Sequence, residues 1–230
     1  MPTKPTRLFT LLFATVTLLE MLGDTLAIRW LHYGCKPLIM GLLLGYVWQH
    51  YREKIHPGPI RWLLVGMVFA LLGDVFLMIQ EVDLFAPGLV AFLVMQLCYS
   101  RAFWLSIRQQ GNPPTAGLFV RTAFPFILYL LGFLYILQPA FMTNPSLTLL
   151  WWPVVLYAFC LNMMGLLAVQ RRGLPDYIQV IIGALLFILS DSLIAIDKFL
   201  HPISGATWFI MSTYAIAQYL IVVGMTQESK

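Results

Sequence analysis

Eight apolar runs follow one another along 230 residues, at 8–22, 37–50, 60–79, 87–107, 117–137, 148–169, 178–196 and 206–225. A bilayer-spanning helix needs about 20 apolar residues, with a working range of about 17–25. The second run is short and needs its flanks, Lys36 and Tyr51, at the two interfaces. The longest gap between runs is about a dozen residues, too little for a separate soluble domain. Composition agrees: 60% of residues are hydrophobic and 10% charged, where soluble domains carry about 25% charged residues. So few charges cannot cover so much apolar surface in water. The expected fold is one polytopic, all-α integral membrane domain, 1–230, with eight transmembrane helices.

The formal net charge of +4 raises the question of nucleic acid. The basic residues are scattered between apolar runs and form no tract, so they are read as topology signals and no nucleic-acid partner is expected. Ten lie on one side of the spans: Lys4, Arg7, Arg52, Lys54, Arg61, Arg108, Arg121, Arg171, Arg172 and Lys230. Arg29, Lys36 and Lys198 lie on the other, and Arg101 falls within the fourth run. The excess predicts both termini in the cytoplasm. That answer requires an even number of spans, as counted. The first run, preceded by Lys4 and Arg7, has the outline of a signal peptide. However, Gly23-Asp24-Thr25-Leu26-Ala27 is a poor cleavage site, so the run is expected to stay as a span.

A shift of 117 residues lays the third and fourth runs over the seventh and eighth. Gly66 then meets Gly183, Asp74 meets Asp191, Gly88 meets Gly205 and Phe92 meets Phe209. Near the same offset Pro37 meets Pro153. An offset of four spans predicts a 4+4 parallel repeat, with halves 1–115 and 116–230, about an axis along the membrane normal. Asp74 and Asp191 then share one depth, roughly 20 Å from the cytoplasmic side. Two carboxylates at one depth, on helices running the same way, could share a cavity.

A carboxylate inside a span costs about 2.5–3.5 kcal/mol on insertion scales and is kept where it faces a partner or a wet cavity. The plain alternative is a protonated Asp tying helices together. One protonated and one ionised Asp is the arrangement that general acid/base chemistry needs. Gln96, Tyr99, Ser190, Ser192, Tyr214, Gln218 and Tyr219 bring further polar groups to the same leaflet, with Asp24 and Lys36 at its edge. Other chemistries find less. The histidines, His32, His50, His56 and His201, lie at span ends or in loops, so no serine–histidine pair forms at depth. No HExxH spacing, Walker loop or GxGxxG occurs, and Cys35, Cys98 and Cys160 form no CxxC pair. No metal or cofactor is expected.

The stretches Leu71-Leu72-Gly73-Asp74-Val75-Phe76-Leu77 and Gly183-Ala184-Leu185-Leu186-Phe187-Ile188-Leu189-Ser190-Asp191-Ser192-Leu193 resemble the Gly-Asp motifs of the YhhN-like lysoplasmalogenase family. Lys36-Pro37-Leu38, and Tyr214 followed by Ala217-Gln218-Tyr219-Leu220-Ile221, are similar to that family too. The resemblance covers nearly the whole chain. It implies an enzyme that takes a lysophospholipid from the bilayer and hydrolyses its vinyl ether bond, giving a fatty aldehyde and a glycerophospho-alcohol. Vinyl ethers resist base and cleave once the alkene carbon is protonated. One of Asp74 and Asp191 would be that acid, and the other would stabilise the cation and direct water onto it. Lys36 would hold the phosphate, and Tyr99, Tyr214 and Gln218 would position glycerol and water. Gln96 and Ser190 complete the expected substrate-binding set.

A proton-coupled transporter of a small solute or lipid is the alternative that the repeated acids allow. Such a carrier needs helices broken at matching places. Pro37, Pro87, Pro125 and Pro153 are placed near span starts, and only Gly132 or Gly165 would loosen a span. The compact chain, with no eukaryotic retention signal, is placed in a bacterial inner membrane.

Overall fold

A computed structural model describes residues 5–51, 58–79, 81–109, 111 and 115–227. Among these the chain is helical, without strands. The helices are α1 (Arg7–Thr25), α2 (Arg29–Tyr51), α3 (Pro59–Met78), α4 (Phe85–Gln109), α5 (Ala116–Thr143), the single turn α6 (Pro145–Thr148), α7 (Trp151–Gln170), α8 (Tyr177–Phe199) and α9 (Ala206–Thr226). Lys4, Arg52, Lys54, His56 and Lys230, used above for topology and chemistry, lie outside the described residues.

Local chemistry accounts for several ends. Thr6 caps α1 by accepting from the Phe9 amide at 3.2 Å. Pro59 opens α3, where its missing N–H costs nothing. Asn144 ends α5 and caps α6 through its side chain. Ala27 takes a left-handed conformation (φ 54°) in the three-residue turn joining α1 to α2.

Seven helices are long and apolar enough to cross a membrane by length and composition: α1, α3, α4, α5, α7, α8 and α9. The protein is an all-helical integral membrane protein. The remaining long helix, α2, departs from expectation at its start. It begins at Arg29 rather than Pro37, so Lys36 lies inside it and Pro37 interrupts its hydrogen bonding. Arg29, His32 and Lys36 hid this start, because they break the apolar run while facing acids instead of lipid. Pro125 likewise lies inside α5, as does Pro139.

The short connections make successive helices antiparallel and gather the loops into two faces. Opposite the terminal face, Asp24 accepts from Thr207 (2.5 Å), Tyr33 donates to Glu81 (2.8 Å) and Lys198 lies 4.0 Å from Asp83. At the terminal face the buried Arg171 donates to Ser106 (3.1 Å), with its guanidinium 5.3 Å from the Phe103 ring centre, and so ties α7 to α4.

The tightest neighbours are α3 with α4 and α8 with α9. Glycine makes both approaches possible. A Cβ on Gly66 would stand 2.6 Å from the Tyr99 ring, and one on Gly183 would stand 2.8 Å from the Ala217 carbonyl. The continuous core lies among α1–α4 and α7–α9, whereas α5 buries only Ala123, Leu137 and Phe141.

Candidate active site

Asp74 and Asp191 are both buried, four residues and eight residues before the ends of α3 and α8. Each is held by one tyrosine from a neighbouring helix. Tyr214 of α9 donates to Asp74 Oδ2 at 2.7 Å, and Tyr157 of α7 donates to Asp191 Oδ2 at 2.5 Å. The expected single cavity is not what results, because the two carboxylates lie in different surroundings. Between them, Phe92, Phe187 and Tyr214 form a mutual ring cluster with centroids 5.9–6.4 Å apart. Gly73, next to Asp74, lets the Phe92 ring into this place, since a Cβ there would stand 2.6 Å from the ring.

The Asp74 side is polar and charged. Lys36 acts on Asp74 electrostatically and lies 3.9 Å from Glu20, with 14% of its side chain exposed. Glu20 is fully buried on α1, and neither carboxylate oxygen has a hydrogen-bond donor in good geometry. His32 Nδ1 approaches Glu20 at 3.2 Å and Asp24 at 3.6 Å. Tyr99 donates to Gln218 Oε1 at 2.8 Å, and both are fully buried. A polar pocket of about 420 Å³ over Asp24, Arg29, His32 and Glu81 opens this region towards the loop face.

The Asp191 side is the opposite. A narrow cleft of about 60 Å³ runs between α4, α5, α7 and α8, lined by Phe92, Leu161, Phe133 and Phe199 among others, and Asp191 is the one carboxylate in its wall. Its few polar groups are Tyr129, Tyr157, Asn162 and Ser192. Asn162 donates to the Ala158 carbonyl and leaves its own Oδ1 unpartnered. Gln96 is fully buried near the Tyr157 hydroxyl, with both amide atoms outside good hydrogen-bond geometry. At the loop end Phe85 meets Phe199 edge-on (5.5 Å), and Lys198 Nζ lies 5.1 Å from the Phe85 ring centre.

The structure therefore distributes the expected site residues. Asp74, Tyr214, Tyr99, Gln218 and Lys36 gather on one side, and Asp191 with Gln96 on the other. Ser190 joins neither: its hydroxyl donates to the Ile210 carbonyl of α9 at 3.1 Å. Ser192, two residues on, lines the cleft instead. Sequence reasoning passed over Glu20, Tyr129, Tyr157 and Asn162. Glu20 carried a usable signal, an acid inside an apolar run. Single Tyr and Asn residues in apolar helices carry little.

Comparison with known proteins gives a consistent answer. The lysoplasmalogenase TMEM86A of Bos taurus is 35% identical over 180 residues, covering 75% of this chain and 68% of that protein. The human lysoplasmalogenase TMEM86B is 32% identical over 188 residues, 81% of this chain and 71% of its own. A lysoplasmalogenase of Mycobacterium tuberculosis is 32% identical over 165 residues, 71% of this chain and 60% of its own. No solved structure matches. The YhhN family model matches residues 31–225, a stretch that takes in both aspartates, both tyrosines and the cleft, and the chain belongs to the YhhN family.

Proposed function

We propose that this protein is a membrane lysoplasmalogenase, hydrolysing the vinyl ether bond of alkenyl lysophospholipids. Relatives that bear that name over most of the chain support the activity. The observation that carries the mechanism is a lone carboxyl, Asp191, in the wall of an apolar cleft. A vinyl ether sits at the junction of a polar head and an apolar chain, so its acid belongs where the surroundings change from one to the other.

In this reading Asp191 is the general acid. Its protonated carboxyl is the proton source in this reading, and among the described residues no lysine or arginine lines the cleft around it. The alkene π electrons take the proton at the carbon next to the ether carbon, which becomes an oxocarbenium ion. Water held by Asn162 and Gln96 adds to that carbon, and its proton goes to the Asp191 carboxylate. In the hemiacetal, Asp191 gives that proton to the glycerol oxygen as its bond to carbon breaks and takes the hydroxyl proton in return, releasing aldehyde and alcohol with the acid restored. Tyr157 orients the carboxyl throughout. Asp74, behind the Phe92 ring with Tyr214 on its Oδ2, is the second carboxylate in this reading and adds negative charge near the cation.

Lys198 is better placed than Lys36 for the phosphate. It lies seven residues beyond Asp191, about 10 Å along α8, comparable to an extended glycerophosphate. All eight long helices span the bilayer in this arrangement, with both termini cytoplasmic, and the chain sits in a bacterial inner membrane. The neighbour relations support a 4+4 repeat: α2 lies on α3 as α7 lies on α8, and α4 meets α7 as α9 meets α2. A carrier is less well served, because α3 and α8 run unbroken through both acids.

The test is aldehyde release from alkenyl lysophosphatidylethanolamine by purified protein, beside Asp191→Asn. Aldehyde from the parent and none from a folded variant supports the reading. A folded parent that releases none sinks it.

A further inference from the structure

On the lipid-facing side of α5, α7 and α8 runs a second, larger groove of about 940 Å³. It is lined by Phe126, Leu185, Ile188 and Leu189, and it shares Tyr129, Phe133 and Ser192 with the Asp191 cleft. Where the two meet, the Tyr129 hydroxyl is hydrogen-bonded to Ser192 Oγ, and the Tyr129 ring stacks on Phe133 at 5.7 Å. Ser192 also donates to the Ile188 carbonyl. The contact between cleft and groove is therefore one side-chain hydrogen bond and a stacked pair, with no backbone wall. From Ile196 to Leu185 the groove follows α8 for eleven residues, about 16 Å.

We infer that this groove holds the distal hydrocarbon chain of the lysolipid, which passes the Tyr129–Ser192 contact with its vinyl ether at Asp191 and its head towards Lys198. The proposal rests on the reading of Asp191 as the acid and adds where the chain goes. Geometry supports it in three ways. The Asp191 cleft runs from the loop end to mid-depth and is closed off there by the Tyr129–Ser192 pair, so a long chain needs a continuation. The continuation that shares its wall is apolar along α8 from Ile196 to Leu185, faces lipid and meets Arg121 and Arg172 only at its far, terminal-face end, whereas the other neighbour of Asp191, beyond Phe92, carries its charges close by. Moreover α5, which forms one side of the groove, is the long helix held least by the core, so a chain can enter sideways between α5 and α8. The groove's residues then set chain-length preference, and Leu185 and Leu189 are specificity-determining without touching the reacting atoms.

Two measurements test this. In the first, aldehyde release is compared for octenyl and octadecenyl lysophosphatidylethanolamine, in the parent and in Leu189→Trp. Because Leu189 is exposed on the lipid face, Trp there fills the groove without disturbing the core. The expected result is that kcat/KM for the long chain falls about tenfold or more, the cost of forcing a chain against an added ring, while the short chain is little changed. Equal effects on both chains overturn the inference. The second measurement needs no catalysis. A saturated-ether lysophosphatidylethanolamine bearing a diazirine at its chain end is photolysed with the protein in nanodiscs, and the adducts are mapped. Labelling centred on Phe126, Leu185 and Leu189, lost in Leu189→Trp, supports the groove. Labelling beside Trp208 and Phe209 or at the Arg29 pocket overturns it. A parent that labels the groove yet releases no aldehyde would reject the activity and keep the chain site.

Discussion

Asp74 and Asp191 are each buried in an apolar helix with a tyrosine on Oδ2, yet one faces charges and the other faces hydrocarbon. Around Asp74 stand Lys36, Glu20 and His32, in contact with a polar pocket at the loop face. Around Asp191 stand phenylalanines and leucines lining a cleft. The difference teaches that two acids with similar positions along their helices take their surroundings from the side chains that other helices bring to them. Unlike neighbours are what would let two like carboxylates take unlike roles, as the proposed mechanism requires.

The comparison can be broken at its strongest point first. Asp191→Asn is expected to reduce aldehyde release by about 10²–10⁴, the range for removing a general acid. If Asp74→Asn instead shows the larger loss, the two roles are exchanged. Asp74→Asn is expected to cost roughly tenfold to a hundredfold in kcat with KM little changed, as for loss of an electrostatic contribution. Tyr157→Phe should lose up to about tenfold, the value of one hydrogen bond that orients the acid, whereas Tyr214→Phe, one step removed from substrate, should lose less. Steady-state assays on the four proteins at one lipid-to-detergent ratio rank them.

A smaller effect separates the two lysines. Lys198→Met should raise KM a fewfold, as expected for one partly exposed charge, and Lys36→Met should leave KM nearly unchanged. A KM effect at Lys36 alone would return the phosphate to the Asp74 side. The smallest contrast is structural. Gly183→Ala pushes against the backbone of α9, and Gly66→Ala pushes against the Tyr99 ring, so each should destabilise by about 1–3 kcal/mol, Gly183 the more. Thermal unfolding in detergent measures both, and an equal or reversed order would show that the Tyr99 ring yields less than the helix does.

Much of the fold was legible because lipid writes its demands in long apolar runs, and Asp74 and Asp191 stood out as acids within them. The start of α2 was not legible, since Arg29, His32 and Lys36 look like loop residues until Glu20, Asp24 and Glu81 appear beside them. Ser190 was chosen over Ser192 because a heptad of apolar residues says little about which side of α8 faces α9. Tyr157 and Tyr129 were invisible for the same reason: in an apolar helix an aromatic residue carries no direction. Partition by Phe92 could not be foreseen either, as it depends on Gly73 leaving room for a ring from α4.

The sparse burial of α5 has a consequence for how the protein should be handled. Its seat against α7 and α8 rests on few core side chains, so its resting position is a balance struck partly by the surrounding lipid. Thickness and lateral pressure of the host membrane then act on this one helix as a load acts on a hinge. Detergent, which applies neither, would leave it slack, and the same polypeptide would differ in behaviour between micelle and bilayer with every covalent bond unchanged.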